Sequence, residues 1–412
     1  MCVCAVRWNG KLVDGNLVSF PLFNTHSAGG QIDSMVSGGS YAVISMFDPA
    51  TGFELYSTDG TTAGTVLLRD INPGTASSFP NGFARSGNRV FFAADNGVNG
   101  NELWVTDGTS ANTKLVRDIV PGVQGSDPSS ITEVGTLLLV GGFSGGVVFN
   151  ANTAAAGTEP WISDGNAVTQ ILNDINPGTN SSGAYDFKYS ANAFNVGFRG
   201  FVFTADNGIN ANEPWGSNGI TTLMLKDVNP SLDSSSNPRG FAPISPFGFV
   251  FSADDGTNGN ELWFTSNTGA STFLLKNINT SSGSGSLPAS FLAFSSTKVL
   301  FLAADDGGAY RLWSTDGTAG GTSKLTESIS GAYSFVSDFE GYPPRLVKSG
   351  ANAYVACTIV ESGNELCGTN GNQVFLTRDL KPGVLSSSPG NLTDLAGTLF
   401  FSADSGSEGR EL

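Results

Sequence analysis

The carboxylates are the first groups to test for chemistry, because the chain carries 36 Asp and Glu residues but one histidine. A lone His26, in the polar stretch Asn24–Ser27, provides neither a Ser-His-Asp set nor a His-rich metal site and reads as a surface-loop residue. Asp95, Asp206 and Asp254 each open a Gly/Asn-rich segment such as Asp95-Asn96-Gly97-Val98-Asn99-Gly100. Oxygen ligands spaced by glycine could hold Ca²⁺, so calcium is a possible ligand. Tight turns, where Asn, Asp and Gly tolerate positive φ, use the same residues. Paired carboxylates could also serve glycoside hydrolysis. Here, however, the acids recur at regular intervals, which suits blade construction better than a unique catalyst, so no catalytic residue is assigned. The cysteines are Cys2, Cys4, Cys357 and Cys367. Cys357 and Cys367 are expected on neighbouring strands, within reach of a disulfide, with free thiols the alternative. Cys2 and Cys4 lie two apart on one strand face and are less apt to pair with each other. Sequons occur at Asn180, Asn279 and Asn391. Glycans would be tolerated on exposed loops, although chance alone produces sequons in a chain this rich in Asn, Ser and Thr.

What positions these groups is a repeat. Glu54-Leu55-Tyr56 recurs as Glu102-Leu103-Trp104, Glu159-Pro160-Trp161, Glu213-Pro214-Trp215, Glu261-Leu262-Trp263, Arg311-Leu312-Trp313, Glu365-Leu366-Cys367 and Glu411-Leu412. Several copies run on into Thr-Asp-Gly-Thr, as at Thr106–Thr109. An Asp-Ile-Asn-Pro-Gly segment follows, as at Asp70–Gly74, and a Phe-x-Ala-Asp strand precedes, as at Phe251–Asp254. In the second copy four short strands are expected near Phe79–Ser86, Arg89–Asp95, Asn101–Thr106 and Thr113–Ile119, each bounded by Gly, Asn, Asp or Pro. Four strands per repeat of ~40–50 residues is a propeller blade.

The spacing also predicts a register. If Trp104 faces Leu115, the same offset sets Tyr56 against Leu67, Trp161 against Ile171, Trp215 against Met224, Trp263 against Leu274, Trp313 against Leu325 and Cys367 against Leu376. Trp104, Trp161, Trp215, Trp263 and Trp313 are then blade-core residues, and the alternating Leu or Pro makes the opposite face apolar too. In most copies the offset also sets the motif Glu against a basic residue: Glu54 with Arg69, Glu102 with Arg117, Glu213 with Lys226, Glu261 with Lys276 and Glu365 with Arg378, whereas Glu159 faces the neutral Asn173. In the sixth copy the charges are exchanged, Arg311 facing Glu327. A register-fixing ion pair of either polarity is expected, with Arg311 and Glu327 directly opposed on adjacent antiparallel strands within about 4 Å.

The motif resembles the ELWxxDGT-repeat family, over roughly Gln31–Leu412. The resemblance implies a propeller-type fold and an extracellular or cell-surface location, and it implies no catalytic residues. Arg311 for Glu and Cys367 for Trp depart from the motif.

Composition sets the remaining bounds. A net charge of −16 offers no basic excess to neutralise phosphates, which excludes an ordinary nucleic-acid partner. No apolar run approaches the ~20 residues of a membrane-spanning helix. The segment Met1–Trp8 lacks the apolar core of a signal peptide, so export would need a leader missing from this sequence, or another route. Gly at 54 of 412 residues, together with abundant Ser, Thr and Asn, disfavours helices. The expected fold is all-β: a single propeller over residues 1–412 of four-stranded antiparallel blades. Eight blades are favoured, the last closed by strands from residues 1–30 against 389–412, with seven blades or an open array as alternatives. The first functional expectation is a non-enzymatic extracellular structural or adhesive protein that self-associates or assembles in tandem, without a cofactor. Its rivals are a carbohydrate- or ligand-binding propeller and a glycosidase- or lyase-type enzyme. The first rests on the regular repeat and on no single copy standing out as a polar cluster.

Overall fold

Alternation of apolar side chains with turn-forming Gly and Asn leaves this chain one economical course, the short antiparallel meander. The structure is a computed structural model. It describes residues 32–411, apart from 137–143, 191–199, 330–332, 336–343 and positions 60, 62, 167, 246–247, 282, 284, 396 and 407–408. Among the described residues the chain is all-β, broken by one 3₁₀ turn at Gly269–Ser271. The fold is that of propeller-type blades, four-stranded antiparallel sheets in blades 1 to 6. The strands of a blade are called a to d in chain order.

The chain forms two compact units. The first, residues 1–187 with 219–221, contains blades 1 to 3. Blade 1 is Ile32–Ser37, Ala42–Asp48, Gly52–Thr58 and Val66–Arg69. Blade 2 is Asn81–Ser86, Arg89–Asp95, Asn101–Thr106 and Lys114–Leu115, and blade 3 is Ser129–Thr136, Ser144–Thr153, Gly157–Ser163 and Thr169–Ile171. Blade 4 runs from Tyr185–Ser190 to Thr222–Met224. The second unit holds blade 5, from Arg239–Ile244 to Phe273–Lys276, and blade 6, from Ala289–Ser295 to Ser323–Lys324. It continues through blade 7, centred on Asn352–Ile359, Gly363–Thr369 and Gln373–Arg378, to a three-stranded sheet of Gly390–Leu395, Thr398–Asp404 and Arg410–Glu411. The N-terminal strands expected to complete this last sheet, with Cys2, Cys4 and His26, lie outside the described residues.

The predicted register holds on strands c and d in six blades: Tyr56 is opposite Leu67, Trp104 opposite Leu115, Trp161 opposite Ile171, Trp215 opposite Met224, Trp263 opposite Leu274 and Cys367 opposite Leu376. Blade 6 departs, Trp313 facing Lys324. Strand d is also shorter than expected, two residues in blade 2.

The core is made between blades. Trp104, Phe92 and Val90 of blade 2 pack on Val43, Leu55 and Leu68 of blade 1. The other face of blade 2, Phe91, Leu103 and Val105, packs on Val147 and Phe149 of blade 3. Trp313 of blade 6 packs likewise on Leu262 and Leu275 of blade 5. Trp104, Trp161, Trp263 and Trp313 face the preceding blade, and Leu55, Leu103, Leu262 and Leu312 the following one, so burial on both faces makes a blade depend on its neighbours. Trp104, Trp215, Trp263 and Trp313 are buried, while Trp161 is half-buried.

Candidate functional site

The motif glutamates from Glu54 to Glu365 are fully buried, Glu411 being exposed, and they do not form the expected ion pairs. Beside the motif Leu a β-bulge shifts the register, so Arg69, Lys276 and Arg378 face Leu55, Leu262 and Leu366 instead of the glutamates. The Glu54 carboxylate accepts the backbone N–H groups of Ile71 (2.8 Å), Asn72 (3.2 Å) and Ser78 (3.0 Å), and the Ser78 hydroxyl (2.7 Å). Glu213 takes Val228 N–H, Ser236 N–H and the Ser236 hydroxyl, and Glu261 takes Ile278 N–H, Asn279 N–H and the Ser286 hydroxyl. Glu365 does the same with Leu380 and Ser387. The carboxylate thus organises the connection to the next blade by satisfying backbone donors that would otherwise be buried unpaired. Burial pushes the carboxyls of Glu54, Glu102, Glu159, Glu213 and Glu261 above the ordinary glutamate range, against the opposing pull of these hydrogen bonds. The residue after the serine stands at positive φ, as at Phe79 (48°), Asp127 (48°), Asn237 (46°), Leu287 (49°) and Ser388 (48°), a conformation that fixes the entry into strand a.

The strand-d cations instead tie blades together. Arg69 Nη1 donates to the Thr113 carbonyl (2.7 Å), Arg117 Nη1 to Thr169 (2.6 Å), Lys226 Nζ to Thr272 (3.3 Å) and Lys276 Nζ to Thr322 (2.8 Å), each in the following blade. The Thr-Asp-Gly-Thr motif is a closed turn. Asp107 accepts the Thr109 N–H and hydroxyl, and the flanking hydroxyls of Thr106 and Thr113 meet at 2.8 Å.

Blade 6 breaks both rules. The Arg311 guanidinium lies 5.0 Å over the Tyr333 ring, and its Nη1 donates to the Tyr333 carbonyl at 2.7 Å. Its Nε lies 3.8 Å from Glu327 Oε1, which also accepts the Tyr333 hydroxyl at 3.1 Å. The side chains meet as expected, but not on opposed antiparallel strands. Thr326–Glu327 pairs parallel with Gln373–Arg378 of blade 7. With an acid where the cation should be, the link to the next blade is made by backbone: Thr326 N–H to Asn372 and Ser328 N–H to Val374. Burial, then the Glu327 charge, raises the Tyr333 phenol above its ordinary range, with Asp305 adding to the effect. Asp305 in turn pairs with Lys324 at 3.3 Å. The arrangement sets a partly exposed guanidinium beside a carboxylate a third exposed, both braced by the buried Tyr333 phenol, and the two charged groups are able to donate to and accept from one polar ligand. Residues of the sequence signalled it only as the exchanged charges at 311 and 327. Tyr333 and Asp305 lay outside the repeat motif.

The remaining candidates separate. Asp95, Asp206 and Asp254 accept the N–H of Gly97, Gly208 and Gly256, closing their own turns. Among the described residues no group of three His, Cys, Asp or Glu is placed to hold a metal ion. Cys357 and Cys367 form a disulfide, Cα–Cα 5.8 Å, across adjacent strands. Asn180 and Asn391 are exposed. The glycosylation expectation at Asn279 is corrected: its side chain is buried and its Nδ2 donates to the Gly285 carbonyl at 3.0 Å. It holds the loop that Asn72 and Asn176 hold in their blades.

No family model matches the chain, and no curated protein matches it. Solved structures do. A GH74 xyloglucanase from Xanthomonas campestris is similar at 12% identity, over 88% of this chain and 56% of that one, with a TM-score of 0.43. A prolyl endopeptidase is similar at 12% identity over 91% and 54%, TM-score 0.44. A Mycobacterium tuberculosis puromycin-hydrolyzing peptidase is similar at 12% over 82% and 50%, TM-score 0.39. The chain spans about half the length of these proteins, and the likeness concerns fold alone. The polar cluster of blade 6 removes the ground on which the chain was read as featureless. The expectation of a non-enzymatic structural or adhesive protein is therefore corrected, and the expectation that the chain is not an enzyme loses its support.

Proposed function

We propose that the chain is a ligand-binding propeller whose ligand is a carbohydrate, bound through Arg311 and Glu327, which the buried Tyr333 holds in place. The observation that carries this reading is the replacement, in blade 6 alone of the seven complete copies, of the buried structural Glu by an arginine whose charge is met by a partly exposed carboxylate. A guanidinium and a carboxylate side by side supply donors and acceptors for vicinal hydroxyls, and a few placed polar groups are what fix a ligand's orientation. A disulfide suits an oxidising compartment, which supports an extracellular site of action. Among the described residues no helix is long and apolar enough to cross a membrane. The reading is tested by isothermal titration against soluble polysaccharides. Arg311→Ala and Glu327→Gln should each weaken a binding polysaccharide at least about tenfold, or 1.4 kcal/mol. Unchanged binding by both variants overturns the assignment of the site.

A second reading rests on two carboxylates of blade 6, Glu327 ion-paired with Arg311 at 3.8 Å and Asp305 ion-paired with Lys324 at 3.3 Å. Two carboxyl groups flanking one bond are what glycoside hydrolysis uses. Release of reducing sugar that is lost in Glu327→Gln and Asp305→Asn while binding persists would select this reading over binding alone.

A further inference from the structure

Blades 2 and 3 form a half-open recess of about 150 Å³ beside their c–d turns, within the first unit. Two cations line it, Arg89 and Lys114, in a chain whose net charge is −16. Arg89 is fixed in advance. Its Nη1 donates to the Asp164 carbonyl (2.5 Å), its Nη2 to the Gly145 carbonyl (3.1 Å), and its guanidinium lies 5.3 Å over the Phe91 ring. Gly165 allows the blade-3 turn to close on it, since a Cβ there would stand 2.9 Å from the Phe91 ring and 3.0 Å from Arg89. Lys114 Nζ meets the Asn166 side-chain oxygen at 3.3 Å. Both cations therefore rest on neutral oxygens. The one carboxylate in the lining, Asp107, is turned into its own loop, accepting from Thr109 and from Asn112 Nδ2 at 2.7 Å. Lys114 also has no counterpart: the same register position is Val66, Gln170, Leu223, Phe273, Ser323 and Phe375 in other blades.

We propose that this recess binds an acidic monosaccharide unit, its carboxylate between Lys114 and Arg89 and its hydroxyls on Asn112 and Asn166. Cations held against neutral acceptors in a recess leave a positive potential that a small carboxylate would complete. The volume is well below that of a drug-sized pocket and suits one hydroxylated ring. The site is separate from the blade-6 group and does not depend on it.

The experiment is titration of the full chain with glucuronate and with glucose, followed by calorimetry or by NMR shifts. Glucuronate should bind and glucose should bind at least about tenfold more weakly. Lys114→Gln should lower glucuronate affinity about tenfold. Lys114 is exposed, so the variant is expected to fold, and an unaltered melting curve checks this. Equal binding of the two sugars, no effect of Lys114→Gln, or no glucuronate binding at about 10 mM overturns the proposal.

Discussion

The Ser78 hydroxyl donates to Glu54 at 2.7 Å across 24 residues of chain, and this contact, repeated by Ser236 on Glu213 and Ser387 on Glu365, joins the third strand of one blade to the first strand of the next. The glutamate in the repeat is a connector placed where each blade hands over to its successor. Its loss strands several donors at once, because one carboxylate serves the N–H groups of two loop segments.

Replacing Glu261 by Ala should therefore cost about 3 kcal/mol or more, the sum of leaving buried N–H groups of Ile278 and Asn279 unpaired. Denaturant midpoints measure this. A cost under about 0.5 kcal/mol would show that water replaces the carboxylate.

The same carboxyls give the fold a pH dependence of definite sign. Burial raises Glu54, Glu102, Glu159, Glu213 and Glu261 above their unfolded value of 4.5. The folded chain then binds more protons than the unfolded chain in this window. Stability should rise as pH falls from neutrality towards 4.5, and be lost as pH rises through the raised values. Below about 3.8 the trend reverses, because the Thr61 hydroxyl on Asp59, the Thr318 hydroxyl on Asp316 and Lys381 on Asp404 hold those carboxyls low. Melting temperature across pH 3–8 checks the shape, and Glu261→Gln should flatten the upper limb.

Arg117 is expected to act as a hydrogen-bond donor between blades rather than as half of an ion pair, since its Nη1 reaches the Thr169 carbonyl. Arg117→Ala should destabilise by roughly 1–2 kcal/mol, as for a hydrogen bond to a charged group. The loss should be the same in low and high salt. A loss that disappears at about 1 M salt would restore the ion-pair reading.

Reducing Cys357–Cys367 should cost about 2–3 kcal/mol in the chain-entropy model. The bond lies in the core shared by blades 6 and 7, so hydrogen exchange should accelerate there before it does in blades 1 to 3. Uniform acceleration along the chain would contradict a local role.

Period and alternation were enough to make the blades legible. Tyr56, Trp104, Trp161, Trp215, Trp263 and Cys367 stand opposite the residues their spacing requires, because strand pairing is local and a one-residue slip would turn every core side chain to the wrong face. The disulfide of blade 7 followed from the same alignment. What the linear order concealed was the bulge beside Leu55 and its equivalents, which takes the basic residue away from the glutamate and gives it to the next blade. A bulge adds one residue without changing the apolar pattern, so alternation carries no trace of it. Asn279 reads as a sequon in the sequence and becomes a buried loop clasp because Gly285, six residues on, turns its carbonyl back to it. The blade-6 group required tertiary structure for the same kind of reason. Arg311 and Glu327 advertise exchanged charges, but Tyr333 joins them only because the chain leaves strand d of blade 6, pairs parallel with blade 7 and returns with its ring under the guanidinium.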